Sequence, residues 1–186
     1  MANLARVSLG MAAAVTLAAC AAGAVDTPYL STWDPYTVNY IAAKGPVYTK
    51  IVGNPFEGSQ EALERSVTGA MTGSNAGQPL RFSTQEDPNN VSPYRLVVLF
   101  GAEKGFGPAR LCEADAKQIE QADGPVRVIA TLCAGDTRES SVTARLAPTA
   151  AGPDDPAFRS LVRQMARALF PSKNDNILGN SSAFDL

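Results

Sequence analysis

The chain has 186 residues, of which 45% are hydrophobic, and its 16 Lys and Arg against 18 Asp and Glu give a formal net charge of −2. Because no basic tract stands out, the charge pattern argues against a nucleic-acid partner. The chain contains no histidine, which excludes Ser-His-Asp and Cys-His catalysis, histidine metal sites and a histidine pH switch. A chain of this length is long enough to form one domain with a buried hydrophobic core.

The N-terminus has the pattern of an export signal. Arg6 precedes an apolar run, Val7 to Ala19, that is too short to span a membrane and ends in small residues. Its end, Leu17-Ala18-Ala19-Cys20, matches the bacterial lipobox, after which the processed chain begins at a diacylated cysteine. We therefore predict a lipoprotein signal peptide over residues 1–19 and a lipid anchor on Cys20.

A second processing site competes with the lipobox. Ala22-Gly23-Ala24 has the small-residue pattern of ordinary signal peptidase, and cleavage after Ala24 would release a soluble periplasmic chain. Residue 21 is alanine and not aspartate. If Cys20 is lipidated, the sorting rule of many Gram-negative lipoproteins therefore predicts the periplasmic face of the outer membrane. Both routes carry the domain out of the cytoplasm.

Residues 20–43 show no period of two or 3.6 residues and contain two X-Pro pairs, so we predict an irregular tether. Solvated linkers are poor in aromatic residues. The alternatives are docking on the domain and a position at a membrane or partner surface, and we expect docking for the four aromatic residues of this segment: Tyr29, Trp33, Tyr36 and Tyr40.

Residues 44–171 carry the regular patterns. The pattern predicts strands within Gly45–Phe56, Leu80–Ser83, Tyr94–Phe100, Val126–Ala134 and Ser140–Leu146, and helices from Ser59 to Met71 and from Asp155-Pro156 to Pro171. Strands clustered between two helices indicate an α+β fold. We expect a single domain with an antiparallel or mixed sheet of four to five strands and two helices on it, followed by a flexible tail over residues 172–186.

Two cysteines remain after Cys20. In an oxidising compartment an even pair favours a disulfide, so we predict a bond between Cys112 and Cys133. The alternative is two buried free thiols. Neither cysteine belongs to a C-x-x-C motif, which argues against a redox-active role.

Four side chains are candidates for a binding surface. Arg159, Arg163 and Arg167 recur every four residues on the last predicted helix. This pattern fits a basic stripe for lipid head groups, peptidoglycan carboxylates or an acidic partner, but we favour its interpretation as an ordinary solvated helix face. Phe106 lies in the glycine-rich stretch Gly101–Pro108, interpreted as a mobile loop in which Phe106→Ala should barely change stability.

No catalytic signature is present. The acidic residues are scattered without EF-hand spacing, and no Ser-x-x-Lys motif or nucleophile elbow occurs. We predict neither a metal site nor a cofactor.

The lipobox, the single mixed domain and the ending Ala168-Leu169-Phe170-Pro171 resemble small proteobacterial envelope lipoproteins of unassigned function. No site residue carries over from that resemblance. We expect a lipid-anchored periplasmic binding protein whose partner is an envelope protein or peptidoglycan. The alternative is an envelope hydrolase that uses carboxylate chemistry.

Overall fold

The computed structural model describes residues 23–31, 34–88, 92–113 and 126–172. The predicted signal peptide, Cys20, Trp33 and the tail from residue 173 lie outside these ranges. Within them, the chain has the predicted α+β class, with seven strands and three α-helices. The prediction of four to five strands and two helices was too low. The additional elements all come from the segment that was expected to be an irregular tether.

The described strands form one mixed sheet in the order β1-β7-β6-β5-β3-β4, with β2 also paired to β7. β3 is parallel to β4 and β5, and all other pairs are antiparallel. The strands are β1 (Gly23–Val25), β2 (Tyr29–Leu30), β3 (Val47–Val52), β4 (Phe82–Ser83), β5 (Tyr94–Phe100), β6 (Arg127–Ala134) and β7 (Thr137–Leu146). The helices are α1 (Pro35–Lys44), α2 (Gln60–Met71) and α3 (Pro156–Leu169). No helix in the described ranges is long and apolar enough to cross a bilayer.

One face of the sheet carries the main core. Alternate residues of the central strands, such as Leu96 and Val98, point to it, and α2 and α3 cover it with their apolar sides. The start of α3 follows the predicted signal, because the Asp155 side chain accepts a hydrogen bond from the Ala157 N–H at 2.7 Å and Pro156 begins the helix. The Phe158 ring then anchors this helix in the core, where it is fully buried.

The opposite face carries a smaller cluster that includes Val97, Leu99 and Ile129. Residues 101–113 fold back over it and end in a 3₁₀ turn, Pro108–Cys112. The disulfide between Cys112 and Cys133 joins this cover to β6, which confirms the predicted pairing.

Phe106 belongs to that second cluster and is only 9% exposed, so its predicted place on an open, mobile loop is wrong. Gly101 and Gly105 adopt positive φ angles that let the loop turn back onto the sheet. The Arg127 guanidinium then fixes the loop by donating to the Phe106 carbonyl oxygen at 3.2 Å and to that of Glu103 at 2.8 Å.

Residues 23–44 are not an irregular tether where the structure describes them. β1 and β2 pair with β7, and α1 begins at Pro35 after Asp34 accepts a hydrogen bond from the Tyr36 N–H. The expected docking holds for Tyr29, whose ring lies 3.5 Å from the Arg138 guanidinium carbon. It also holds for Tyr40, which packs on another tyrosine ring, whereas Tyr36 is 77% exposed.

The register gives the sheet two distinct ends. Gly23 pairs with Leu146, and α3 begins at the same end because Phe158 packs on Phe100 with ring centroids 6.0 Å apart. We call this the Gly23 end. β5 begins at the other end, where Tyr94 pairs with Ala134, and α1 leads into the start of β3 there. We call this the Tyr94 end.

Candidate functional site

A cleft lies between the length of α2 and the start of α3, and α3 begins at the Gly23 end. Its volume is about 190 Å³. Small side chains on α2 leave room for it, and a Cβ at Gly69 would meet nothing within 4 Å. We call it the helix cleft; its lining residues are Ala62, Arg65, Ser66, Gly69, Ala70, Asp154 and Arg159.

The helix cleft brings together two cations from different helices. In the described part of the chain, ion pairs join only Arg95 to Asp136 and Arg145 to Asp26, so Arg65 and Arg159 have no carboxylate partner there. The Asp154 carboxylate lines the same cleft. One wall is fixed because the Ser66 hydroxyl donates to the Pro153 carbonyl oxygen. The arrangement has the chemistry of a small anion site.

Two further carboxylates, Asp155 and Glu61, lie at the starts of the two helices and are held by hydrogen bonds from backbone N–H groups. Hydrogen bonds from the Ala151 and Ala157 N–H groups hold the pKa of Asp155 below its usual value. Glu61 likewise has a lowered pKa, first through a backbone hydrogen bond and then through Ser59, with a smaller contribution from the Arg65 charge. Both carboxylates are therefore committed to capping their helices.

The three predicted arginines separate in the structure. Arg159 lines the helix cleft, Arg163 is half-buried, and Arg167 is exposed near the helix end. Sequence reasoning missed Arg65, because only the packing of α2 against α3 places it opposite Arg159. Spacing along one helix carries no signal for such a pair.

A second cleft lies at the Tyr94 end, between the start of β5 and the chain after β4. Its volume is about 220 Å³. Tyrosine, amide, carboxylate and guanidinium groups all line it, which suits a ligand with both apolar and polar faces. We call it the tyrosine groove; its lining residues are Pro46, Tyr48, Gln85, Glu86, Asp87, Ser92, Pro93, Tyr94 and Arg95.

Tyr94 links this groove to α1. Its ring meets the Tyr40 ring edge-on with centroids 6.0 Å apart, and its hydroxyl hydrogen-bonds the Thr37 side chain. Burial raises the pKa of Tyr94, and the nearby Glu139 charge raises it further. Tyr40 is 45% exposed, so the aromatic surface continues from the groove onto α1.

Arg95 borders the groove but has a structural role. Its guanidinium donates to the Cys112 carbonyl oxygen at 2.5 Å and to the Gly135 carbonyl oxygen at 2.7 Å. It therefore joins the disulfide-bonded cover to the turn between β6 and β7. Mutating it would disturb the fold as well as the groove.

Glu86 and Asp87 are the groove's two carboxylates, and both are exposed. Within the described ranges, no group of three or more Cys, Asp or Glu side chains is placed to hold a metal ion.

The comparisons with known proteins give no relative: no family model, no curated protein and no solved structure matches this chain.

Proposed function

We propose that this chain is a lipid-anchored binding protein of the bacterial envelope, attached through Cys20 to the periplasmic face of the outer membrane. Its binding site is the tyrosine groove, and its ligand is peptidoglycan. An envelope protein that occupies the same groove is the alternative ligand, and failure of the wild type to bind purified peptidoglycan would favour it.

The integrity of β1 carries the anchor part of the proposal. Cleavage after Ala24 would remove two of the three residues of β1 and would leave the end of β7 paired only to β6. Cleavage before Cys20 leaves β1 whole. Position 23 in the sheet also requires glycine, since a Cβ there would collide with the Arg145 carbonyl oxygen. A residue so specific to the fold is better explained as part of the mature chain.

The anchor would fix the orientation of the domain. Only three residue steps separate Cys20 from Gly23, so the chain between them spans about 11 Å at most. The Gly23 end would then lie on the membrane surface. β7 runs away from that end for ten residues, which corresponds to about 33 Å. The tyrosine groove would face the periplasm at that distance.

The chemistry of the groove supports a sugar polymer as the ligand. Tyr48 and Tyr94 offer aromatic surface, and Gln85 and Glu86 offer hydrogen-bonding groups beside it. Aromatic faces pack on the apolar faces of sugar rings, while amides and carboxylates bind hydroxyl groups. The exposed Tyr40 extends this surface beyond the cleft.

The anchor is tested with two substitutions in the full-length precursor. Cys20→Ser should abolish acylation and shift the protein out of the membrane fraction. Ala24→Leu blocks the competing cleavage site but leaves the lipobox intact, so it should keep the lipid, as shown by the intact mass. If Ala24→Leu blocks maturation and Cys20→Ser does not, the anchor proposal is wrong.

The groove is tested by co-sedimentation of the mature protein with purified peptidoglycan sacculi. Tyr48→Ala should reduce binding about tenfold, since loss of an aromatic contact and its buried area weakens binding by that order. Tyr29→Ala is the control, because it removes another tyrosine ring, which is 44% exposed and lies on β2, outside the groove. Equal loss in both variants, or none in Tyr48→Ala, would contradict a site in the groove. Release of soluble fragments from the sacculi would instead support the hydrolase alternative.

A further inference from the structure

We infer that the helix cleft is a phosphate site that takes the head-group phosphate of an anionic phospholipid in the membrane to which the chain is tethered. This inference rests on the proposed anchor at Cys20. The helix cleft and the tyrosine groove are separate sites, so the inference adds a second ligand to the proposed function.

The charges of the cleft support an anion as its ligand. Arg65 and Arg159 face one opening from two helices, and neither has an ion-pair partner among the described residues. Among the lining residues, Asp154 offsets one of the two positive charges, so the lining itself carries one net positive charge. Glu61 feels the Arg65 charge, but its carboxylate is hydrogen-bonded by its own backbone and by Ser59 at the start of α2. Guanidinium groups bind phosphate oxygens with two parallel hydrogen bonds, which gives Arg an advantage over Lys at such a site.

The size of the cleft suits a small ligand. Sites for drug-sized molecules measure about 300–1,000 Å³, and this cleft measures about 190 Å³. It therefore suits a single phosphate group with its first substituents. Gly69 leaves its part of the lining open, because it has no side chain where a Cβ would meet nothing within 4 Å.

The position of the cleft selects the source of the phosphate. α3 contacts both β1 and α2, and its N-terminal end lies at the Gly23 end of the sheet. A tether of about 11 Å between Cys20 and Gly23 keeps that end at the lipid surface. Head groups are then the phosphates present at the highest local concentration, and tethering makes even weak binding effective.

The first test uses inorganic phosphate and the mature protein in detergent, at constant ionic strength, with the backbone amide NMR signal of Gly69 as the reporter. Arg65→Gln and Arg159→Gln should each weaken phosphate binding about tenfold, because each removes charge-assisted hydrogen bonds. Arg167→Gln is the matched control: it removes the same charge from α3 but does not line the cleft. Equal weakening in all three variants, or no shift of the Gly69 signal in the wild type, would overturn the site.

The second test places the anchored protein in nanodiscs that contain a phospholipid with a spin label on its phosphate-bearing head group. The label should broaden the Gly69 signal in the wild type and in Arg167→Gln, and Arg65→Gln should lose most of the broadening. Phosphate binding without broadening would mean that free phosphate is the ligand and would overturn the lipid assignment. Absence of lipid on Cys20 by mass would contradict the anchor alone, because the phosphate titration does not depend on it.

Discussion

The backbone of Gly23 passes so close to the carbonyl oxygen of Arg145 that no side chain fits between them. Its φ of 109° adds a second restriction, because residues with a Cβ avoid that region. We expect Gly23→Ala to lower the free energy of unfolding by about 1–3 kcal/mol through strain and loss of β1 pairing.

The matched control for this prediction is Gly58→Ala. Gly58 has a comparable φ of 127°, but a Cβ there would meet nothing within 4 Å. The control therefore carries the backbone strain without the collision. Chemical denaturation of both variants should show the larger loss at Gly23, and equal losses would mean that the contact with Arg145 is not what restricts this position.

Phe106→Ala should destabilise the protein by about 3 kcal/mol or more, since it removes a buried aromatic ring from the cover over β5 and β6. The comparison is Tyr36→Ala, which truncates an aromatic ring that is 77% exposed and should change stability little. Thermal unfolding measures both. A stable Phe106→Ala protein would restore the interpretation of this loop as an open surface.

Replacing both bonded cysteines, Cys112→Ala with Cys133→Ala, should cost about 3 kcal/mol because the bond closes a loop with a sequence separation of 21 residues. Thiol labelling of the denatured, unreduced protein should find neither cysteine free. Reduction of the disulfide should lower the stability of the wild type and leave the stability of the double variant unchanged. Stoichiometric labelling of the untreated wild type would contradict the bond.

The contribution of the Asp155 cap to the stability of α3 should depend on pH in the acid range, below about pH 3.8. The pKa of Asp155 lies below its ordinary value of 3.8, first through the hydrogen bond from Ala151 and next through that from Ala157. A depressed folded-state pKa adds stability above the unfolded value, and this stability is lost as the pH falls through the folded value. The stability difference between the wild type and Asp155→Asn should therefore narrow as the pH drops below 3.8.

Asp154→Asn is the control for the pH experiment, since it removes the same charge one residue earlier. Urea midpoints measured from neutral pH downward give the comparison. If the difference between the wild type and Asp155→Asn stays constant over this range, the capping carboxylate does not carry the pH dependence.

The central elements could be predicted because their patterns are long. β5 is apolar at successive positions and is covered on both faces, and α3 combines an Asp-Pro start with an apolar stripe. The same Asp-Pro signal occurs at Asp34-Pro35 and begins α1. That helix was missed because its buried apolar positions are few, chiefly Val38 and Ile41. β1 and β2 have three and two residues, too few to show a period.

The candidate sites were harder to predict than the fold. Phe106 lies between glycines, and this pattern predicts a loop. The pattern is the same whether the loop covers the sheet or extends into solvent. The pairing of Arg65 with Arg159 depends on which sides of α2 and α3 meet, and a single sequence contains no direct signal for that contact. The tyrosine groove likewise joins residues that are distant along the chain and adjacent only across β3 and β5.

The pairing of β1 and β2 with β7 has a consequence for the order of folding. The hydroxyl of Ser31 donates to the Glu139 carboxylate across a separation of 108 residues, and the strand pairs nearby are even more distant in sequence. The chain is synthesised from its N-terminus, so β1 and β2 are made long before β7, the strand with which they pair. Contacts of such long range form slowly, and an unpaired edge is open to aggregation until they do. The sheet can therefore be completed only after Leu146 has been synthesised, and a chain that ends earlier leaves β1 without its pairing partner.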